Sequence, residues 1–264
     1  MRKILLLSNG SSLSVAAAEF AMFLGQGKDN HIKALFFSGG PESTLQPTVA
    51  GETLLTRAHV SSSPVVKEFE KLAKAKECRH SVQMLETDSL DEVITETRFA
   101  DLVICDASLS PEPALTVVSP FVMKLLSQSK CPVLIAPVKF DQLEEVAFAY
   151  DGSDASMYAI KLFTYLFPQF NETPVSVLQV IRDEDVNLAE RRKLVELLML
   201  NYNSLSYDHV EGDDVETTLF RQFVGKRNIM LVMGAYGRKK LLSDHSNADI
   251  LLRNVDLPIF IAHH

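Results

Sequence analysis

Val146-Ala147-Phe148-Ala149-Tyr150-Asp151-Gly152-Ser153-Asp154 runs from a short apolar strand into a turn, and Met157 to Phe167 then has the spacing of a helix. The same order occurs once before. Lys3 to Leu7 reads as a strand, Ser8 to Ser12 as a turn and Val15 to Leu24 as a helical run. Asn9-Gly10-Ser11 stands opposite Asp151-Gly152-Ser153, Ser14 opposite Ser156, and Ala17 opposite Ala159. The two halves also end alike. Ala100-Asp101-Leu102-Val103-Ile104-Cys105 matches Asn228-Ile229-Met230-Leu231-Val232-Met233, and Cys131-Pro132-Val133-Leu134-Ile135-Ala136 matches Leu257-Pro258-Ile259-Phe260-Ile261-Ala262. A shared opening and a shared ending make an internal repeat.

The continuous apolar runs are those of strands covered on both faces, as in parallel sheets. Between the ends, Ile32 to Phe37 and Val175 to Ile181 read as second strands, and Ser81 to Leu85 and Leu205 to Val210 as third strands. Helices are predicted over Val65 to Lys76, Leu90 to Phe99, Leu115 to Ser127, Leu188 to Leu200, Val215 to Val224 and about Ala248 to Asn254. Alternating strands and helices imply an α/β fold of two tandem Rossmann-like or flavodoxin-like parallel-sheet domains. The first domain is placed at 1–138 and the second at 144–264, with Val138 to Glu144 as linker. Gly39 to Ser63, with its glycines and prolines, reads as a long loop. Val133-Leu134-Ile135 and Ile259-Phe260-Ile261 would be aggregation-prone as open edges. Pairing the two hides both, so a pseudo-two-fold arrangement of the domains is expected within one chain.

Lys and Arg number 26 against 34 Asp and Glu, a formal net charge of −8. That balance argues against a nucleic-acid partner, which is held by clustered cations. No basic run is longer than Arg238-Lys239-Lys240, which suits a single ligand. No stretch approaches the ~20 apolar residues of a membrane helix. Ile4 to Leu7 is too short for a secretory core. Cys78, Cys105 and Cys131 show no disulfide or metal spacing, and each sits in or beside an apolar element. A cytoplasmic location is expected.

Two motifs can carry chemistry. Met233-Gly234-Ala235-Tyr236-Gly237-Arg238 follows the fourth strand of the second half, where open parallel sheets bind ligands. Glycines there let the backbone approach a phosphate, although a strand-to-helix turn also uses Gly. Asp151, at the end of the first strand, can accept a hydrogen bond from a ring amine or a ribose hydroxyl. As part of Asp-Gly-Ser-Asp it equally fits a turn or a helix start.

Together these motifs resemble the universal stress protein family in its tandem two-domain form. The matching pieces are Phe148-Ala149-Tyr150-Asp151-Gly152-Ser153, Leu231 to Arg238, and Leu251-Leu252-Arg253-Asn254-Val255-Asp256-Leu257-Pro258-Ile259-Phe260-Ile261. The resemblance implies dimer-like packing through the last strands and, in some members, ATP binding. In those members the loop reads Gly, two residues, Gly, nine residues, then Gly and Ser or Thr. Gly234 and Gly237 supply the first pair. Nine residues on from Gly237 stand Asn247-Ala248; aligning backward from Pro258 instead sets His245-Ser246 at that step, in a loop two residues shorter. Either way the later glycine is replaced. A Cβ at a left-handed position costs roughly 1–2 kcal/mol, about ten-fold in affinity. The site implied is Asp151, Gly152, Ser153, Val180, Gly234, Gly237, Arg238, Lys239, Ser246 and Asn247, with Asp151 near the adenine and Val180 beside the ring. The cofactor implied is ATP with Mg. In the first half Asn9 replaces the acid, and Cys105-Asp106-Ala107-Ser108-Leu109-Ser110-Pro111-Glu112-Pro113 holds no glycine, so that half is read as structural.

Ser38-Gly39-Gly40-Pro41-Glu42-Ser43 resembles the pyrophosphatase loop of adenylating enzymes, but it follows a second strand rather than a first. His209, His245, His263 and His264 have no metal spacing. No nucleophile elbow and no catalytic carboxylate pair stand out. The expectation is a non-catalytic stress-response protein that binds a small-molecule nucleotide in its second domain, as a monomer or homodimer. The alternatives are a ligand-free protein-interaction module and a weak nucleotide hydrolase using Asp244 or Asp249.

Overall fold

The computed structural model describes residues 2–27, 30–37, 63–85, 89–110, 117–181, 188–212, 215–234, 252 and 256–262, with the backbone alone at 215 and 216. The described elements are β1 (Arg2–Asn9), α1 (Val15–Leu24), β2 (Asn30–Phe37), α2 (Pro64–Ala75), β3 (His80–Leu85), α3 (Leu90–Thr97), β4 (Leu102–Asp106), α4 (Pro120–Gln128) and β5 (Val133–Ala136). They continue as β6 (Glu145–Tyr150), α5 (Asp154–Leu166), β7 (Val175–Ile181), α6 (Leu188–Met199), β8 (Leu205–Glu211), α7 (Val215–Phe223), β9 (Ile229–Gly234) and β10 (Ile259–Ala262). The chain divides into two compact units, Met1–Cys131 and Pro132–His264.

In the first unit the parallel strand order is β3-β2-β1-β4. In the second it is β8-β7-β6-β9-β10, again parallel. The first strand of each unit therefore lies between the second and the fourth, so the chain reverses its direction of travel across the sheet at that point. β5 joins the second unit as an antiparallel partner of β10, with Ile259 opposite Ile135 and Ile261 opposite Val133. The expected pairing of the two apolar end strands is thus observed.

Local chemistry moves two helix starts from their expected places. α5 begins at Asp154, not Met157, because the Ser153 side chain caps it: Ser153 Oγ accepts from Ser156 N at 3.2 Å. α4 begins at Pro120, not Leu115, because Ser119 Oγ accepts from Val122 N at 3.0 Å and Pro120 fits the first helical position. Residues 111–116, the predicted Gly39 to Ser63 loop except Ser63, and all of the predicted Ala248 to Asn254 helix except Leu252 lie outside the described residues.

The core of the second unit is a cluster of aromatic rings on one face of α5. Ala155, Ser156, Ala159, Ile160, Phe163 and Thr164 are its buried residues, a spacing of four that makes one stripe. Phe163 meets Phe148 edge-on at 5.8 Å and Phe260 edge-on at 5.3 Å, and lies 5.0 Å from Phe167 and 6.0 Å from Phe170. It ties α5 to β6 and β10 at once. Tyr202 closes the cluster: its hydroxyl donates to Thr164 Oγ1 at 3.1 Å, and burial pushes its phenol up to about 12. In the first unit Phe36 packs edge-on against Phe69, and Phe37 against Phe121. Above that sheet Glu96 of α3 takes Lys3 at 3.0 Å and Lys33 at 2.9 Å, clamping the helix to β1 and β2.

Two expected outcomes follow from this packing. Phe163→Ala removes a ring with four aromatic neighbours and should cost about 3–5 kcal/mol, read as a lower urea midpoint; a loss under 1 kcal/mol would show that the cluster does not hold the unit together. Burial raises the Glu96 carboxyl, but the hydrogen bonds and charges of Lys33 and Lys3 together outweigh it and leave it below its ordinary value. Because the folded value is lowered, the stabilisation is present above the unfolded value and is lost as pH falls through the folded one. Glu96→Gln should therefore flatten the acid limb of a stability-versus-pH curve; an unchanged limb would exclude the clamp as its source.

Candidate functional site

The strand register brings the ends of β6, β7 and β9 to one edge of the second unit. Tyr150 pairs with Gln179, so Asp151 and Val180 stand one residue further along neighbouring strands. Phe148 pairs with Val232, and β9 ends two residues later at Gly234, which itself pairs with Ala262 of β10. Asp151, Val180 and Gly234 thus share the C-terminal edge of the sheet, at the β6/β9 position where the strand order reverses. That is where ligands bind in open α/β sheets.

The turn after β6 is built from its own polar groups. Asp151 Oδ1 accepts from Ser153 N at 2.9 Å, and Gly152 sits at φ 76°, a left-handed conformation that favours glycine. Ser153 then caps α5, and Ser156 Oγ donates back to Ser153 O at 2.9 Å. Asp151, Gly152 and Ser153 are half-buried, and Asp154 is exposed in the first turn of α5. Val180 is half-buried as well.

Gly234 meets this helix start directly. A Cβ at Gly234 would lie 2.6 Å from Ala155 C, 2.7 Å from Ala155 O and 2.7 Å from Ser156 N. Those atoms are helix backbone and cannot give way cheaply. The end of β9 is therefore pressed against the first turn of α5, and only glycine allows it. Sequence reasoning found Gly234 but not Ala155 and Ser156 as its neighbours. The signal available was weak: a small residue and a buried serine in the first turn of a helix.

The first unit has the same opening turn with different chemistry. Asn9 Oδ1 accepts from Ser11 N at 3.1 Å and from Ser11 Oγ at 2.9 Å, as Asp151 does from Ser153. The other end of the Asn9 amide donates to Ser110 O at 3.3 Å. The loop after β4 folds back to meet it. Ser108 Oγ donates to Asp106 Oδ1 at 2.7 Å, Leu109 is buried, and Ser119 N donates to Ala107 O at 2.9 Å. Asn9 thus clasps the β4 loop across the edge that stays glycine-lined in the second unit. The Asn9–Ser110 clasp was not foreseen; the side-chain amide supplies it, since an aspartate there could not donate.

Gly237, Arg238, Lys239, Ser246 and Asn247, with Asp244, Asp249 and the 38–43 motif, lie outside the described residues. Among the described residues, no group of three or more His, Cys, Asp or Glu could hold a metal, and no helix is long and apolar enough to cross a membrane. Cys105 and Cys131 are buried and Cys78 is half-buried. Burial raises all three thiols, that of Cys131 to about 12, so none is poised as a nucleophile.

No family model matches the sequence, and no curated protein matches it. Solved structures do match its fold. A universal stress protein from Archaeoglobus fulgidus DSM 4304 aligns with 99% of this chain and 98% of its own, at 17% identity and a TM-score of 0.69. A functionally unknown protein from Pseudomonas aeruginosa PAO1 aligns over 100% and 92%, at 13% identity and a TM-score of 0.62. A Pseudomonas aeruginosa UCBPP-PA14 protein described provisionally as a universal stress protein aligns over 100% and 93%, at 14% identity and a TM-score of 0.62. The chain has the fold of a tandem universal stress protein, two Rossmann-like units in one polypeptide.

Proposed function

We propose that this is a non-catalytic, cytoplasmic stress-response protein of the universal stress type that binds one adenine nucleotide in its second unit. The observation that carries this reading is the meeting of Asp151, Val180 and Gly234 at one sheet edge, beside the start of α5. A helix N-terminus favours an anion through its free N–H groups and its dipole. Asp151 offers a carboxylate to an adenine amine or a ribose hydroxyl, and Val180 an apolar wall for the ring. Gly152 and Ser153 shape the turn between them. Gly237, Arg238, Lys239, Ser246 and Asn247 are assigned to the phosphates by the family pattern alone, and ATP with Mg is the ligand that pattern suggests. In the first unit the Asn9–Ser110 clasp spans the corresponding edge, which favours one ligand per chain over two. Pairing of two chains into a homodimer belongs to the same reading.

A second reading, a ligand-free interaction module, is favoured by one observation. The Gly234 contact with Ala155 and Ser156 accounts for that glycine by packing, with no ligand present. The two readings part at Asp151. Asn9 shows that an asparagine can accept the same turn hydrogen bond, so Asp151→Asn should keep the fold to within about 1 kcal/mol. Hydrogen bonds to a charged group are worth about 1.5–3 kcal/mol, so it should weaken nucleotide binding by at least ten-fold. For wild type, ATP with magnesium at 100 times the dissociation constant should add about 2.7 kcal/mol of stability, and denaturing the purified protein should release nucleotide. No released nucleotide and no thermal shift would leave the interaction module.

Gly234→Ala supplies an independent check. The added Cβ should destabilise by about 1–3 kcal/mol as an overpacking clash, whether or not nucleotide is present. A neutral effect in a denaturation series would mean that β9 does not press on α5 as described.

A further inference from the structure

A second polar constellation stands at the outer end of the same sheet. Tyr150, Gln179 and His209 are register neighbours on β6, β7 and β8, so their side chains leave the same face. Val180, one residue on in β7, leaves the opposite face. Tyr207, two residues before His209, shares the first face. Its hydroxyl donates to Gln179 Oε1 at 2.8 Å, which fixes the ring. Arg191, in the first turn of α6, lays its guanidinium over that ring, 4.4 Å from the centroid. It also donates through Nη1 to His209 Nε2 at 2.7 Å.

The chemistry of this contact is unusual for an arginine. Guanidinium has donors and no acceptor, so Nε2 of His209 must accept and the imidazole proton sits on Nδ1. The charge is therefore met by a neutral ring nitrogen and a π face. Among the described residues no carboxylate lies within ion-pair distance of Arg191. A guanidinium has five N–H donors in a fixed fork, and one of these goes to His209. Held by stacking, Arg191 is pre-organised to offer the others, and His209 beside it is exposed. A planar cation held in place by stacking is suited to bidentate recognition of a phosphate or carboxylate.

We propose that Arg191 forms a binding site for a phosphate group at the outer edge of the second unit, with the guanidinium fork as its donor and His209 Nε2 as the acceptor that orients it. Tyr207 and Gln179 are positioning residues that hold the guanidinium in place. This site uses the opposite face of the sheet from Val180 and does not depend on nucleotide binding beside it. Its ligand is either free phosphate or the phosphate of a larger molecule.

The test titrates inorganic phosphate into the full chain against chloride at equal ionic strength and follows broadening of the phosphorus resonance. Binding should be saturable in wild type, at least ten-fold weaker in Arg191→Gln, and unchanged in Arg192→Gln, the exposed neighbour. Arg191→Lys keeps the charge but loses the fork, and should fall between wild type and Arg191→Gln. Circular dichroism confirms that each variant is folded; should Arg191→Gln unfold, Arg191→Lys and His209→Ala carry the comparison. Asp151→Asn should leave phosphate binding intact even where it abolishes the response to ATP, which separates this site from the proposed nucleotide site. AMP competing with phosphate equally well in wild type and in Asp151→Asn would point to the phosphate of a larger ligand, and failure to compete to the free ion. No saturable binding, or equal binding by Arg191→Gln and wild type, overturns the proposal.

Discussion

The end of β9 can touch the first turn of α5 because residue 234 has no side chain. Much of the second unit's architecture hangs from that approach. A Cβ would sit within 2.7 Å of three backbone atoms of Ala155 and Ser156, so the strand and the helix start are fixed against each other at main-chain distance. Once they are, the turn between β6 and α5 has little freedom. Gly152 takes the left-handed conformation, Ser153 caps the helix, and Asp151 is held at the strand end by the N–H of Ser153. Two turns further along α5, Phe163 reaches both β6 and β10. The contact at the edge and the aromatic cluster inside are two consequences of one helix position. A site at this edge is therefore built on rigid elements, as pre-organised binding requires.

The repeat is more faithful in backbone than in chemistry. Both units open with strand, Asx turn and helix, and both place the first strand between the second and the fourth. Their fourth-strand loops diverge. The first unit buries Leu109, ties Ser108 to Asp106 and reaches Asn9 through Ser110. Each of these bonds satisfies a backbone or side-chain group internally, which is what a loop does when nothing else is there to satisfy it. The second unit ends its fourth strand in a glycine pressed on a helix. The two units share the strand order of the sheet and differ in the loop chemistry at its edge.

The fold was legible because burial on both faces leaves a direct mark. Val146 to Tyr150, Ile229 to Met233 and Ile259 to Ala262 are apolar without interruption, and each is a buried strand. Pairing of the two end strands could be reasoned from the cost of leaving Val133-Leu134-Ile135 and Ile259-Phe260-Ile261 open. Helix starts were less legible, since α5 is set by the Ser153 cap and not by the apolar stripe that begins later. The site was half legible. Asp151 and Gly234 announce themselves by type and by place after a strand. The reason for Gly234 does not, because its partners Ala155 and Ser156 are about eighty residues away in sequence. Arg191 and His209 were invisible for the same cause: nothing in the spacing of a helix residue and an exposed strand residue says that they meet over Tyr207.

The first unit serves as an internal control for the second. Asn9 and Asp151 occupy the same turn and accept the same kind of backbone hydrogen bond, so the turn by itself does not require a negative charge. A carboxylate at this place has a further structural gain. Close to the N-terminus of α5 a charge gains about 0.3–1 kcal/mol from the helix dipole at an exposed position. That gain is open to Asn9's place before α1 as well, yet the amide stands there, where it is used to clasp Ser110. The choice between amide and acid thus follows what lies across the edge. Where the neighbouring loop presents a carbonyl, the residue must donate, and it is asparagine. Where the neighbouring strand ends in glycine, the residue is an acceptor with charge, and its Oδ1 takes the N–H of Ser153.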